Sequence, residues 1–314
     1  MTTAVVFAYH NVGVRCLKVL LAQGVRVLLV VTHQDNPNET IWFDSTQDLA
    51  RARGLTVVTP ADTNAPALLA QIKALAPDFL FSFYYRNMLG PELLAVPRRG
   101  AYNMHGSLLP KYRGRVPVNW AVIKGERETG ATLHQMVAKP DAGGIVDREA
   151  IPIGPDDTAK DVFDKVVAAA ERVLARALPA LIAGTARITP QDLAQGSYYG
   201  GRKPEDGRID WSQGAREVHN LVRGVAPPYP GAFTRIHGQT VRLLRTRLEP
   251  DRRPRSGPPG LYSEDGALYA DCADGKVLRL IELDAAGGRV EPGAFAGEKV
   301  SFEAAAELPH GRAK

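Results

Sequence analysis

Asp78-Phe79-Leu80-Phe81-Ser82-Phe83-Tyr84 is almost wholly apolar, on both of the faces a strand would present. A strand without a polar face is covered on both sides, as in a parallel sheet layered with helices. Ala4-Val5-Val6-Phe7-Ala8 has the same character. After it, residues 14–22 carry Val14, Leu17, Leu20 and Leu21 at helical spacing, with Gly24 as a stop. Residues 26–32 and 55–58 read as strands, and residues 46–53 and 66–75 as helices. This alternation predicts an α/β fold with a parallel sheet. Further strands are predicted over 100–104, 131–136 and 145–153, with a helix over 116–124. Asp156-Asp157-Thr158 can cap a long helix over 159–183.

After Gly184 the character changes. Residues 196–207, rich in Gly, Tyr and charge, read as a linker. A short helix falls within 209–225, followed by short strand-like runs at 234–237, 240–247, 260–262, 267–271 and 277–283. Short strands with turn signals predict a small barrel. The expected organisation is a catalytic domain over 1–195, the linker at 196–207, a C-terminal barrel over 208–305 and a tail at 306–314.

The 314 residues are 45% hydrophobic and 23% charged, the balance of a globular protein. No run approaches the ~20 apolar residues of a membrane-spanning helix. The N-terminus runs into a strand and lacks a signal peptide's basic region and cleavage site. Cys16 and Cys272 stand far apart and outside any metal spacing, so reduced thiols and a cytoplasmic location are expected. The net charge of +5 weakly favours an anionic substrate.

Chemistry concentrates in Asn103-Met104-His105-Gly106-Ser107-Leu108-Leu109-Pro110. Asn103 and His105, two apart at the end of a strand, point to one face. An amide that can donate to an oxyanion beside a proton-carrying imidazole suits acyl transfer. A plain strand end followed by a Pro/Gly turn fits the same letters. Asp141, before Gly143-Gly144, reads from its own surroundings as a turn or cap residue. Arg113-Gly114-Arg115 reads equally as a basic loop approaching an anion or as a solvated turn. Tyr84 and Tyr85 could line a pocket, or be one buried and one exposed ring at a strand end. His10 and Asn11 follow the first strand, where open α/β sheets place ligands, although an ordinary turn explains them as well.

Taken together, Phe7-Ala8-Tyr9-His10, Phe81-Ser82-Phe83-Tyr84-Tyr85-Arg86, the whole stretch from Asn103 to Arg115 and Asp141-Ala142-Gly143 resemble the 10-formyltetrahydrofolate-dependent formyltransferases. The likeness continues to Pro230-Gly231-Ala232-Phe233. It is closest to the members that act on UDP-4-amino-4-deoxy-L-arabinose for lipid A modification and polymyxin resistance. The resemblance implies a Rossmann-like catalytic domain and a C-terminal OB-like β-barrel. It implies a stand-alone enzyme without the dehydrogenase half found in those members, using 10-formyltetrahydrofolate as co-substrate and no metal. In that reading Asn103 stabilises the oxyanion, His105 is the acid/base and Asp141 raises its basicity. Folate contacts fall on Asn87, Met88, Leu89, Arg115 and the loop Val137, Ala138, Lys139, Pro140 and Asp141. The partners are a nucleotide-sugar and folate, without membrane insertion, and oligomerisation is left open. Whether His105 acts as a base or as a charged donor is also open.

Rival readings have their own signatures. A methionyl-tRNA formyltransferase would neutralise phosphates with clustered Lys and Arg. Residues 27–50 contain neither, and carry Asp35, Glu39, Asp44 and Asp48. Residues 208–255, with ten arginines and four acids, keep that rival alive. Another nucleotide-linked aminosugar is a second alternative acceptor. A dinucleotide oxidoreductase lacks its G-x-G-x-x-G after the first strand, and a metallohydrolase lacks H-E-x-x-H. A non-catalytic folate-binding protein is disfavoured by the complete set of Asn103, His105 and Asp141.

Overall fold

A computed structural model describes residues 1–37, 39–285, 288–295 and 299–302. The expected tail at 306–314 and the last barrel residues, 303–305, lie outside the described residues. The chain forms two compact units. The first comprises Met1–Val118, Glu128–Ile153 and Val162–Gly201, and the second Asn119–Arg127, Gly154–Asp161 and Arg202–Lys314.

The first unit is built on β1 (Thr3–Ala8), β2 (Arg26–Val31), β3 (Val57–Val58), β4 (Phe79–Phe83) and β5 (Ala101–His105). Their helices are α1 (His10–Ala22), α2 (Thr46–Ala52), α3 (Pro66–Leu75) and α4 (Pro91–Leu94). β6 (Arg113–Gly114) comes next, and α5 (Pro117–Ile123) passes into the second unit at Asn119. They are followed by β7 (Glu128–Gln135), β8 (Ile145–Pro152), α6 (Ala159–Ala183) and β9 (Tyr198–Tyr199). Strand order in the main sheet is β3-β2-β1-β4-β5-β7-β8. The first five strands are parallel, and β7 and β8 add in antiparallel fashion. The strands whose alternation with helices predicted a parallel sheet, β1 to β4, are parallel, and the sheet becomes mixed where β7 and β8 join it. Apolar periodicity reports burial but not strand direction.

The chemistry of the strands explains their place. Ala4 to Ala8 and Phe79 to Phe83 are buried throughout, the polar Ser82 included. Gly13 lets α1 lie close on β1, because a Cβ there would sit 3.1 Å from the Ala8 Cβ. Connections leave β1 toward β2 and leave β4 toward β5, so the strand order reverses between β1 and β4. Open α/β sheets bind ligands beyond the carboxyl ends of strands at such a point.

Thr158 caps α6 reciprocally with Asp161: the Asp161 N–H donates to Thr158 Oγ1 at 3.2 Å, and the Thr158 N–H to Asp161 Oδ2 at 2.9 Å. The segment expected to be a linker holds structure of its own, since β9 pairs with β6.

The second unit carries α7 (Ala215–Val225), β10 (Ala232–Ile236), β11 (Gln239–Glu249), β12 (Gly260–Glu264), β13 (Ala267–Asp271) and β14 (Val277–Ala285). β15 (Gly288–Arg289) and β16 (Val300–Ser301) complete it. These strands form one curled antiparallel sheet, a half-barrel ordered β10-β11-β14-β13-β12-β16. Val218 and Val222 of α7 share its core with Leu243, Leu261, Leu278 and Leu280. Four arginines, Arg245, Arg247, Arg279 and Arg289, line a groove on this unit.

Candidate active site

β5 delivers Asn103 and His105 to one face, and β7 brings His134 into register directly opposite Asn103. The loop after β7 turns back at Asp141, which takes φ 51°, a left-handed conformation that Asp tolerates better than most residues. The Gln191 side-chain amide holds this turn, donating to the Asp141 carbonyl at 3.0 Å and the Gly143 carbonyl at 2.6 Å.

Asp141 is the hub. Its Oδ2 accepts the Gly114 N–H at 2.9 Å. Its Oδ1 lies 3.6 Å from His105 Nδ1, 3.5 Å from His134 Nε2 and 3.5 Å from Asn103 Nδ2. Burial alone would raise the Asp141 pKa. The His105 and His134 imidazoles and the Gly114 N–H outweigh burial and hold the carboxyl well below its usual range.

Backbone carbonyls fix the ring protons, because a carbonyl can only accept. His105 Nε2 lies 2.8 Å from the Tyr112 carbonyl and so carries a hydrogen. Nδ1, facing Asp141, is the nitrogen left to gain or lose a proton. His134 Nδ1 is held by the Gln135 carbonyl at 2.7 Å. In the neutral His134 ring, Nε2 is an acceptor for Asn103 Nδ2 at 3.2 Å. In the doubly protonated ring it donates to Asp141 instead. Either way His134 faces the amide side of Asn103.

The carboxyl ends of β1, β2 and β4 carry a second constellation. Tyr9 donates its hydroxyl to Asp35 at 2.7 Å, and Arg86 lies over the Tyr9 ring while pairing with Glu39. His33 stacks on Tyr85 with 4.1 Å between centroids. Burial, and then the Arg86 charge, lower the His33 pKa to about 4. His10, at φ 66°, stacks on Phe43 and meets Trp42 and Phe163 edge-on. Tyr84 and Tyr85 are both half-buried. A Cβ on Gly106 would run into the Tyr84 hydroxyl.

The structure thus brings Asn103, His105 and Asp141 together. The other expected positions lie in two loops and at Arg115. Asn87 donates to Thr63 Oγ1 at 3.1 Å, and the Met88 carbonyl accepts from Asn64 at 3.0 Å. The Leu89 side chain is buried in a core cluster that also packs Tyr85 and Met136. Met88 is 55% exposed and Val137 44%. Ala138, Lys139 and Arg115 are exposed, and Pro140 is half-buried. His134 and Gln191 belong to the same network without having been singled out in the sequence. The apolar pattern of β7 could have flagged His134, a buried imidazole on a core strand, whereas nothing local marks Gln191. Among the described residues no three His, Cys, Asp or Glu side chains cluster as a metal site, and no helix is long and apolar enough to cross a membrane.

An α/β sheet with an Asn–His–Asp group at its carboxyl edge, joined to a half-barrel, defines a group-transfer enzyme of known architecture. The chain belongs to the formyl transferase family: residues 12–178 match the formyl transferase model, and residues 202–297 match the family's C-terminal domain. It is a formyl-transferring enzyme. Among solved structures, its fold is similar to that of the N-formyltransferase from Helicobacter canadensis, determined with folinic acid and dTDP-3-aminofucose. That likeness has a TM-score of 0.71 and 20% identity, and covers 92% of this chain and 100% of that one. It is also similar to WlaRD, a sugar 3N-formyl transferase determined with dTDP and 5-N-formyl-THF (TM-score 0.69, 18% identity, 92% and 98% covered). A third is a sugar N-formyltransferase from Shewanella sp. FDAARGOS_354 (TM-score 0.62, 19% identity, 77% and 96% covered).

Proposed function

We propose that this protein transfers a formyl group from 10-formyltetrahydrofolate to the amine of a nucleotide-linked aminosugar, with UDP-4-amino-4-deoxy-L-arabinose as the acceptor. The single observation that carries the chemistry is the convergence of Asn103, His105 and His134 on one half-buried carboxylate. The acceptor class is supported by the fold's likeness to sugar N-formyltransferases, and the particular sugar by the wording of residues 103–115. The folate reading fits the surface: Met88 and Val137 are large apolar side chains left in solvent in the two loops assigned to it.

The reaction follows from the donors. The free amine nitrogen attacks the formyl carbon, and the carbonyl electron pair moves onto oxygen. A hydrogen of Asn103 Nδ2 meets the resulting oxyanion; its present contacts at 3.2 and 3.5 Å are loose enough to yield to a stronger acceptor. One such donor lowers the barrier by about 3–4 kcal/mol. His105 Nδ1 takes the proton shed by the amine, and Asp141 compensates the positive ring. The same nitrogen then delivers the proton to N10 of the folate as the carbon–N10 bond breaks and the carbonyl re-forms. The products are the sugar formamide and tetrahydrofolate.

A tRNA acceptor has one observation in its favour, the arginine-lined groove of the second unit. Against it, residues 27–50 hold no Lys or Arg, and their exposed acids include Asp35, bonded to Tyr9, and Glu39, paired with Arg86. Tetrahydrofolate release with purified protein decides between them. Release that requires the aminosugar is expected; release with methionyl-tRNA alone would overturn the reading.

A further inference from the structure

Two arginines are buried among the described residues, Arg223 at 6% exposure and Arg113 at 8%. Arg223 is fully engaged. It donates to Asn220 Oδ1 at 2.9 and 2.7 Å, to the Gly154 carbonyl at 3.3 Å and to the Asp157 carbonyl at 3.1 Å. Arg113 has none of this. Its Nε is buried without a hydrogen bond, and its guanidinium meets no described carboxylate or carbonyl. A guanidinium stays charged at any physiological pH, and a buried N–H left without an acceptor is costly to the fold. Such a group is retained where something outside the chain completes it.

Its backbone position says where. The carbonyl of the preceding residue, Tyr112, holds His105 Nε2, and the N–H of the following residue, Gly114, holds Asp141 Oδ2. In the chain Arg113 therefore lies between the backbone groups that hold His105 and Asp141. Asp141 does not consume its charge: the groups that hold that carboxyl down are the two histidines and the Gly114 N–H. Beside Arg113 in register is Tyr198, whose ring is 58% exposed. That ring covers Gly114, where a Cβ would come within 3.2 Å of it. A buried arginine and an exposed aromatic ring thus flank Gly114, whose N–H holds the catalytic carboxylate.

We propose that Arg113 and Tyr198 form the acceptor's anion subsite, with the Arg113 guanidinium gripping the diphosphate of the nucleotide-sugar and the Tyr198 ring flanking its nucleoside. The fork of N–H donors suits phosphate oxygens in pairs, and a flat half-exposed ring suits a base or sugar face. This deepens the aminosugar reading and rests on it. Folate also carries anions, its glutamate carboxylates, and the assay separates the two sources.

The test uses the full chain with Arg113→Met, Arg113→Lys and Tyr198→Ala. Binding is read with UDP and inorganic pyrophosphate, and turnover as KM for each substrate. Arg113→Met is expected to weaken UDP and pyrophosphate about 10- to 100-fold, the range of a lost charge-assisted hydrogen bond. KM for the aminosugar should rise in step while KM for the folate stays put. Arg113→Lys should restore part of the loss. Tyr198→Ala should weaken UDP while sparing pyrophosphate. Without ligand, Arg113→Met should melt no lower than the wild type, because it removes a buried N–H that lacks an acceptor. A variant that unfolds or melts lower would show that the guanidinium serves the fold, and overturns the proposal. So does unchanged UDP binding, or a rise confined to the folate KM. If wild-type protein never formylates the aminosugar, yet UDP and pyrophosphate bind and Arg113→Met abolishes both, the anion subsite stands and the acceptor assignment fails.

Discussion

Asp141→Asn keeps the shape of the site and removes its charge. The side chain is 14% exposed, and its oxygens meet one N–H at 2.9 Å and two imidazoles near 3.5 Å. The substitution trades a charge-assisted hydrogen bond for a neutral one and forfeits the attraction to any charged ring. It also relieves the burial penalty that opposed the carboxylate. The balance is a loss of about 2–3 kcal/mol of stability at pH 7. Because the folded carboxyl titrates below its ordinary value of 3.8, its contribution is full above that pH and drains away below it. The gap between wild type and variant should hold from neutrality to about pH 4, then close by about 1.4 kcal/mol per pH unit at most. Urea melts of both proteins at pH 7, 5 and 3 read this directly. Turnover of the variant should fall by roughly 10³-fold or more, since the imidazole loses the carboxylate that orients it and balances its charge. A variant as stable as wild type at pH 7 and 5, or a gap wider at pH 3 than at pH 5, would refute the hub assigned to Asp141.

Gly114→Ala should destabilise by about 1–3 kcal/mol and slow turnover, since Gly114 takes φ 99° and a Cβ would strike the Tyr199 carbonyl; thermal melts and kcat check it. His134→Phe should lower kcat about tenfold or more with little change in either KM, because Asn103 loses the partner that orients its amide. In His33→Gln, stability should depend less on pH between about 4 and 6.5. The native His33 resists protonation in that window while the unfolded chain accepts it, so wild-type stability falls as pH drops through the window. Alanine at Asn103, His105 or Asp141 singly should cost about as much activity as all three together, and additive losses would show that the three act separately.

What could be read in the sequence follows physical range. The buried strands from Ala4 and Phe79 announce themselves because burial on both faces is written in consecutive letters. Asn103 and His105 share a face because a strand repeats every two residues. Asp141 is 38 residues from Asn103, and only the family likeness connected them; its local letters describe a turn, and it is indeed at a turn. His134 reaches Asn103 through antiparallel pairing of β5 with β7, and register between strands distant in sequence leaves no periodic trace. Arg113 was legible as a cation beside a glycine, but its burial depends on Tyr198-Tyr199 pairing with it from a segment that read as linker. Gln191 acts through backbone carbonyls, which no side-chain motif encodes.

The most direct test of the account is the fate of the formyl group. Purified protein, 10-formyltetrahydrofolate and UDP-4-amino-4-deoxy-L-arabinose are incubated and the sugar is analysed by mass spectrometry, with Asn103→Ala protein in parallel. The account predicts a formamide at the sugar nitrogen, formed with stoichiometric tetrahydrofolate and lost in the variant. An unmodified sugar beside a methionyl-tRNA that gains the formyl group would contradict it.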